Sequence, residues 1–283
     1  MTAPRTTALR SMQDWPVTSW AGAWTSGDGR YEADGETGRV FPLASVTKLL
    51  FAYAMLIAVE EGSVALDEPA GPQGSTVAHL LSHSSGLAPE ATSPGGPVFA
   101  PVGARRIYSN QGFEVLGQVL ATNTNMTPAE YLRLAVFEPL AMDDSSLDGS
   151  PAHGGLSTVA DLVAFCRELL APTLIDPTTL QRARAPFLPE LGGVLPGFGR
   201  QDPNPWGLGF EIRAGKHPHW TGTTNSPMTY GHFGASGTFL WVDPDRSLAS
   251  VVLTDRRFGP WAAEAWPPLC DFVLAVHGSQ PGG

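Results

Sequence analysis

Ser45 and Lys48 stand three residues apart at the head of an apolar run, L-L-F-A-Y-A-M-L-I-A-V-E-E-G. On a helix that spacing brings both side chains to one face, about one turn apart. A serine hydroxyl is a poor nucleophile until a base removes its proton. A lysine is such a base when burial lowers its pKa. The helix start also offers free backbone N–H groups and a positive dipole end to a developing anion. An N-cap would account for the serine alone. It does not account for a charged residue one turn into a helix that is apolar on every face, where burial is costly without a partner. Composition sharpens the point: 15 of the 17 basic residues are arginine, leaving only Lys48 and Lys216. Arginine cannot give up its proton and could not serve here. Lys216 has no partner visible in the sequence and reads as a loop residue.

Two further groups carry chemistry. Tyr108-Ser109-Asn110 follows Arg105-Arg106 in a Gly/Pro-bounded loop. Its phenol could relay a proton, and its carboxamide could orient the lysine or meet a substrate carbonyl. Gly231-His232-Phe233-Gly234-Ala235-Ser236-Gly237 leads into a strand, and glycines beside a strand suggest close backbone approach to a ligand. A backbone N–H from this stretch, with that of Ser45, could form an oxyanion hole. His79 and His83, four residues apart, could share a face, but they lack a third ligand at a usual spacing and read as hydrogen-bonding residues. His217 and His219 read as part of an exposed loop. No G-x-S-x-G, Walker A or G-x-G-x-x-G is present, so nucleophile-elbow hydrolases and nucleotide binders are disfavoured.

Taken together, Ser45-Val46-Thr47-Lys48, Tyr108-Ser109-Asn110 and His232-Phe233-Gly234 resemble the three motifs of serine β-lactamases and penicillin-binding proteins. The likeness is nearest to the class C β-lactamase-like branch, which includes family VIII carboxylesterases and D-alanyl-D-alanine peptidases. Leu80–Leu87 (LLSHSSGL), Gly154–Thr158 (GGLST) and Gly237–Asp243 (GTFLWVD) add to it, and it spans residues 40–255. The resemblance implies that Ser45 is acylated, that Lys48 shares its proton, and that Tyr108 is a general base or proton relay. It implies that Asn110 holds the acyl side, that His232 takes the place of the family's K-T-G lysine, and that Ala235, after Gly234, supplies the second oxyanion N–H. It implies a β-lactamase/transpeptidase-like fold and no metal or organic cofactor. His232 and Phe233 depart from the family's lysine and hydroxyl residue, so the substrate expected first is a small neutral ester or amide. A β-lactam or a D-Ala-D-Ala peptide comes second. The rival from another class is a binding or regulatory protein that retains the fold without turnover.

The elements that must hold these groups can be read in outline. Trp20–Trp24, Arg30–Ala33 and Val40–Leu43 read as extended, and the run after Ser45, ended by Gly62, as a helix buried in the middle of the molecule. Thr76–Ser82, Gly112–Thr122, Pro128–Phe137 and Leu162–Leu170 read as helices, the last launched by a Thr158/Asp161 capping pair. After Pro205 the period returns to two, predicting strands over Gly207–Arg213, Gly237–Val242 and Ser247–Thr254. Pro260–His277 predicts a helix broken at Pro267-Pro268. Strands at both ends with helices between them predict an α/β (α+β) fold: one antiparallel sheet built from both chain ends, flanked by helices, with an inserted all-helical domain. Residues 1–62 and 200–283 would form the sheet domain and 63–199 the helical insertion, with a ligand cleft at their junction.

Composition excludes other classes. The net charge of −10 with scattered arginines gives no basic stripe for nucleic acid. The longest apolar run, Leu49–Val59, is far shorter than the ~20 residues that span a bilayer. Residues 1–16 show no apolar h-region. Cys166 and Cys270 read as buried free thiols. The expectation is a cytoplasmic protein without membrane or nucleic-acid partners.

Overall fold

In a computed structural model that describes residues 8–90 and 96–277, the run after Ser45 forms a helix in which every side chain from Thr47 to Ala58 is buried. In chain order the elements are β1 (Trp20–Ser26), β2 (Tyr31–Gly35), β3 (Phe41–Pro42), a 3-10 turn (Ala44–Val46) and this helix, α1 (Thr47–Glu60). Then come α2 (Val77–Leu81), α3 (Asn110–Thr124), α4 (Pro128–Leu132), β4 (Ser146–Leu147), β5 (Gly155–Ser157), α5 (Val159–Leu170) and α6 (Pro177–Ala183). The hairpin β6 (Gly193–Leu195) and β7 (Gly199–Gln201) leads to β8 (Glu211–Ile212), β9 (Tyr230–Gly234), β10 (Thr238–Asp243), β11 (Leu248–Thr254) and α7 (Pro260–His277).

Six strands form one antiparallel sheet in the order β2-β1-β11-β10-β9-β8, so the two ends of the chain meet between β1 and β11. Strands β9 to β11 are buried along their whole length, because helices cover both faces. Side chains alternate between two cores with the strand period. Leu240, Val242, Val251 and Leu253 pack with α1 and α5, whereas Trp241, Leu248 and Val252 pack with α7 and the 3-10 turn Ala8–Asp14. The architecture is helix, sheet, helix, the mixed antiparallel fold expected from the sequence. Between α1 and β8 the regular structure is mostly helix, with the short strands β4 and β5, which join β3 in a small sheet, and the hairpin β6-β7. Helix α5, although it lies in this middle stretch, packs on β1 and β11.

Several local readings hold. Thr158 caps α5 by accepting the Asp161 N–H at 3.1 Å, and α4 carries Pro in its first turn and runs on through a π turn at Arg133–Phe137. Both cysteines are free and buried. Two readings are corrected. The strand expected over Gly207–Arg213 forms only at Glu211–Ile212, and α7 is continuous through Pro267 and Pro268. A proline pair inside a helix removes hydrogen bonds at a cost of about 3 kcal/mol or more. Here the flanking residues Ala262, Trp266, Leu269, Cys270 and Val273 are buried against the sheet, and that burial outweighs the loss. Among the described residues no helix is long and apolar enough to cross a membrane.

Candidate active site

Ser45 sits in the 3-10 turn that precedes α1, half-buried, and its backbone is clamped from two sides. The Leu43 N–H donates to the Gly155 carbonyl at 2.8 Å, and the Leu43 carbonyl accepts from Thr238 Oγ1 at 2.9 Å. Thr47 Oγ1 donates to the Ala44 carbonyl at 2.6 Å and accepts the Gly155 N–H at 2.9 Å. Ala44 adopts φ 46°, a left-handed conformation that a non-glycine residue holds only where its surroundings impose it. Two glycines allow the clamp. A Cβ on Gly155 would lie 2.6 Å from Thr47 Oγ1, and one on Gly234 would collide with the Leu43 carbonyl and Thr238 Oγ1.

Lys48 is wholly buried. Its Nζ lies 3.2 Å from Ser45 Oγ, 2.5 Å from Asn110 Oδ1 and 2.7 Å from the Ala152 carbonyl. Loss of solvation lowers its pKa from the ordinary 10.5 to about 7, against a partial pull upward from Glu90 and Glu114. Tyr108 donates to Ser45 Oγ at 2.6 Å, and burial raises its pKa well above the ordinary phenol value. The phenol therefore stays protonated near neutral pH. The neutral form of Lys48 keeps two N–H donors for Asn110 and Ala152 and turns its lone pair to Ser45. Ser45 Oγ–H then points at an amine while its oxygen accepts from a phenol, an arrangement that can pass a proton away from Oγ during attack.

The Tyr108 ring is held by three others: His83 at 4.7 Å, Trp206 at 5.8 Å and His232 at 5.6 Å between centroids. His83 accepts the Ser109 N–H at Nδ1 (3.2 Å), while Ser109 caps α3 through the Gly112 N–H at 3.0 Å and donates to the Ala88 carbonyl. This is how the L-L-S-H-S-S-G-L stretch and the Tyr108 loop support each other. Asn110, the first residue of α3, also donates to Glu90. His79 bonds Thr76 Oγ1, so both histidines of that pair serve as hydrogen-bonding residues.

On β9, His232 pairs with Leu240 and faces the α1 side, whereas Phe233 faces the α7 side. His232 is buried and its pKa falls to about 3, first through lost solvation and then through Lys48. Its Nδ1 lies 2.6 Å from the Phe233 carbonyl, which can only accept, so Nδ1 carries the proton and the imidazole is neutral. Phe233 packs against Phe258 at 4.9 Å and Phe198 at 5.7 Å. Ala235 is exposed just past the strand end. Two cavities meet at Ser45, Asn110 and Ala235. One, of about 270 Å³, runs past Tyr108 between Trp206, Phe233 and Phe258. The other, of about 410 Å³, runs past His153, Ser236 and Arg257.

Lys216 and His219 overturn their sequence reading. Both are buried, and Lys216 contacts the Glu211 carboxylate and donates to the Pro205 carbonyl at 2.8 Å. His219 Nε2 and Trp220 Nε1 complete the shell of Glu211 at 3.0 and 3.1 Å. Burial pushes the Glu211 carboxyl upward, but the charges and hydrogen bonds of Lys216 and His219 hold it far below the usual carboxylate range. Only His217 is exposed, as expected. Trp206, Glu211 and Arg257 border the Ser45 cavities and carried no sequence signal. A carboxylate on a short strand and a lysine five residues on look like separate surface charges until the loop folds back.

The fold is that of β-lactamases and serine transpeptidases. The chain belongs to the β-lactamase family, whose model matches residues 17–271. It is similar to the D-alanyl-D-alanine carboxypeptidase/endopeptidase AmpH of Escherichia coli, with 22% identity over 86% of this chain and 77% of that protein. Among solved structures it resembles a β-lactamase from Mycobacterium bovis, with 50% identity, a TM-score of 0.93 and coverage of 96% of this chain and 100% of that one. A penicillin-binding protein from Bacillus halodurans shares the fold at 20% identity, with a TM-score of 0.73 over 92% of this chain and 98% of that one.

Proposed function

We propose that the protein is a serine hydrolase that moves the acyl group of a small ester or amide first to Ser45 and then to water. The observation that carries this reading is Lys48: a wholly buried lysine with a pKa near 7, 3.2 Å from a hydroxyl that also accepts from Tyr108. Neutral Lys48 takes the Ser45 proton as Oγ attacks the carbonyl carbon. The N–H groups of Ser45 and Ala235 face the developing oxyanion, a contribution worth about 10²–10³ in rate per donor in serine hydrolases. Tyr108, a neutral phenol, gives its proton to the leaving atom and recovers one from Lys48. Asn110 holds Lys48 in place through its Oδ1. Water later attacks the acyl-enzyme by the same groups in reverse.

Neutral His232 and the aromatic setting of Phe233 favour an uncharged ester or amide over a carboxylate-bearing substrate. The 50% identity to a β-lactamase favours a second reading, in which the same serine opens a β-lactam. Incubation with a fluorophosphonate probe tests the common core: modification is expected on Ser45 and is lost in Ser45→Ala. A protein left unmodified under conditions that label a β-lactamase refutes it. A chromogenic cephalosporin run beside a short nitrophenyl ester then decides between the two substrate classes.

A further inference from the structure

The two cavities at Ser45 differ in chemistry, and Tyr108 distinguishes their roles. We infer that the smaller, aromatic cavity receives the leaving group, so that the preferred substrates are esters of compact apolar alcohols. This rests on the serine-hydrolase reading above and goes beyond it by assigning the two halves of the substrate. The leaving atom must lie beside the group that protonates it. Tyr108, which touches Ser45 Oγ at 2.6 Å, lines the smaller cavity and does not line the larger one. The alcohol half therefore points toward Tyr108, and the acyl half points toward His153, Ser236 and Arg257.

The walls of the smaller cavity are Leu195 and Pro196 from the β6–β7 hairpin, with Trp206, Phe233 and Phe258. The hairpin tip can lie on Phe258 because residue 197 is glycine: it has φ 77°, and a Cβ there would come 2.6 Å from the Phe258 ring. Beyond the Ser45 end, the polar groups of this wall are already engaged or closed off. Glu211 is occupied by Lys216, His219 and Trp220, while Trp206 Nε1 and His232 Nε2 are shielded from solvent without a hydrogen-bond partner. Among the described residues no lysine or arginine lines the cavity to hold a carboxylate, and the nearby Lys216 ammonium is taken up by Glu211 and the Pro205 carbonyl. At about 270 Å³ the space falls below the ~300–1,000 Å³ of pockets that enclose a whole drug-sized ligand. It fits one compact group.

The chemistry balances. Ser45 Oγ forms a bond to the carbonyl carbon while its proton passes to Lys48. The carbon–oxygen bond to the alcohol breaks with its electron pair on oxygen, that oxygen takes the Tyr108 proton, and the Lys48 ammonium reprotonates Tyr108. A neutral alcohol departs from the aromatic cavity and the acyl group remains on Ser45.

Two ester series measured on the intact protein test the assignment. With acetyl fixed, kcat/KM is expected to be at least about tenfold higher for benzyl acetate than for ethyl acetate. It is also expected to be at least about tenfold higher than for 4-carboxybenzyl acetate, since apolar pockets discriminate added bulk by about 10–200-fold. Phe258→Ala and Leu195→Ala are each expected to lower the benzyl-to-ethyl ratio, a readout that does not depend on how fast either variant works. With ethanol fixed, ethyl phenylacetate is expected to show no comparable gain over ethyl acetate. A benzyl-to-ethyl ratio near one in the wild type overturns the assignment whether or not the variants fold. So does equal turnover of the carboxybenzyl ester, an unchanged ratio in both variants, or a preference that follows the acyl series instead. Failure to hydrolyse any ester, together with an unlabelled Ser45, would mark failure of the hydrolase reading itself.

Discussion

Replacing Lys48 with methionine keeps most of the side-chain volume and removes the group on which the site depends. In the folded protein this lysine has a pKa of about 7, against 10.5 in its ordinary state, and in the unfolded chain it returns to the ordinary value. Between these two pH values the unfolded chain binds one proton more than the folded one, so the lysine's contribution to stability rises with pH across that window. At about 1.4 kcal/mol per pH unit, the gap amounts to on the order of 5 kcal/mol. Below pH 7 both states are protonated and the full cost of burying the charge stands; above about 10.5 neither is, and the cost is gone. Urea melts of wild type and Lys48→Met from pH 6 to 10.5 measure it. The stability difference is expected to be flat below pH 7 and then to move in favour of the wild type by several kcal/mol. The slope is the quantity to read, because the offset at any single pH also contains the Asn110 and Ala152 acceptors that the variant leaves unpaired. A difference that does not vary with pH would show that Lys48 keeps an ordinary pKa. It would then be an ammonium at neutral pH and no base for Ser45.

The same titration should appear in catalysis: kcat/KM for a neutral ester is expected to rise with pH to a plateau through an apparent pKa near 7, read from a pH–rate profile. Tyr108→Phe keeps the ring between His83, Trp206 and His232 and removes only the proton donor, so the rate should fall by about 10²–10⁴ while thermal unfolding shifts little. Gly234→Ala drives a Cβ into the Leu43 carbonyl and Thr238; calorimetry should show about 1–3 kcal/mol of destabilisation, with none for Gly38→Ala, which meets open space. Lys216→Met leaves Glu211 buried without its cation and should cost about 3–5 kcal/mol by urea melt, with part recovered in the Glu211→Gln/Lys216→Met double variant.

The parts legible in the sequence were those in which one residue contradicts its own neighbourhood. Lys48 stands out because a charge interrupts a helix apolar on all sides, and the helix's burial follows from the same fact. The glycines around His232 signalled a close backbone approach, and at Gly234 the neighbour that comes close is the Leu43 carbonyl. Strands β10 and β11 fall where a period of two between turn residues places them, although burial on both faces, which the period does not show, needed the folded chain. Other features needed the folded chain. Glu211, Lys216 and His219 form one charge cluster only because the loop after β8 returns to it, and each alone resembles an ordinary polar residue. Trp206 reaches the site through tertiary packing, with no local pattern to mark it. The proline pair in α7 obeys a local rule that would break the helix, and burial of Trp266 and its neighbours against the sheet overrides that rule.

Catalysis by this route places the acyl group on Ser45 during turnover. Acid-quenching the protein while it hydrolyses a nitrophenyl acetate, followed by peptide mapping by mass spectrometry, tests this directly. One acetyl group is expected on the peptide containing Ser45, more of it in Tyr108→Phe if release of the acetyl group slows more than its uptake, and none in Ser45→Ala. An ester consumed at the full rate with no acetyl on Ser45, or with the same acetylation in Ser45→Ala, would contradict it.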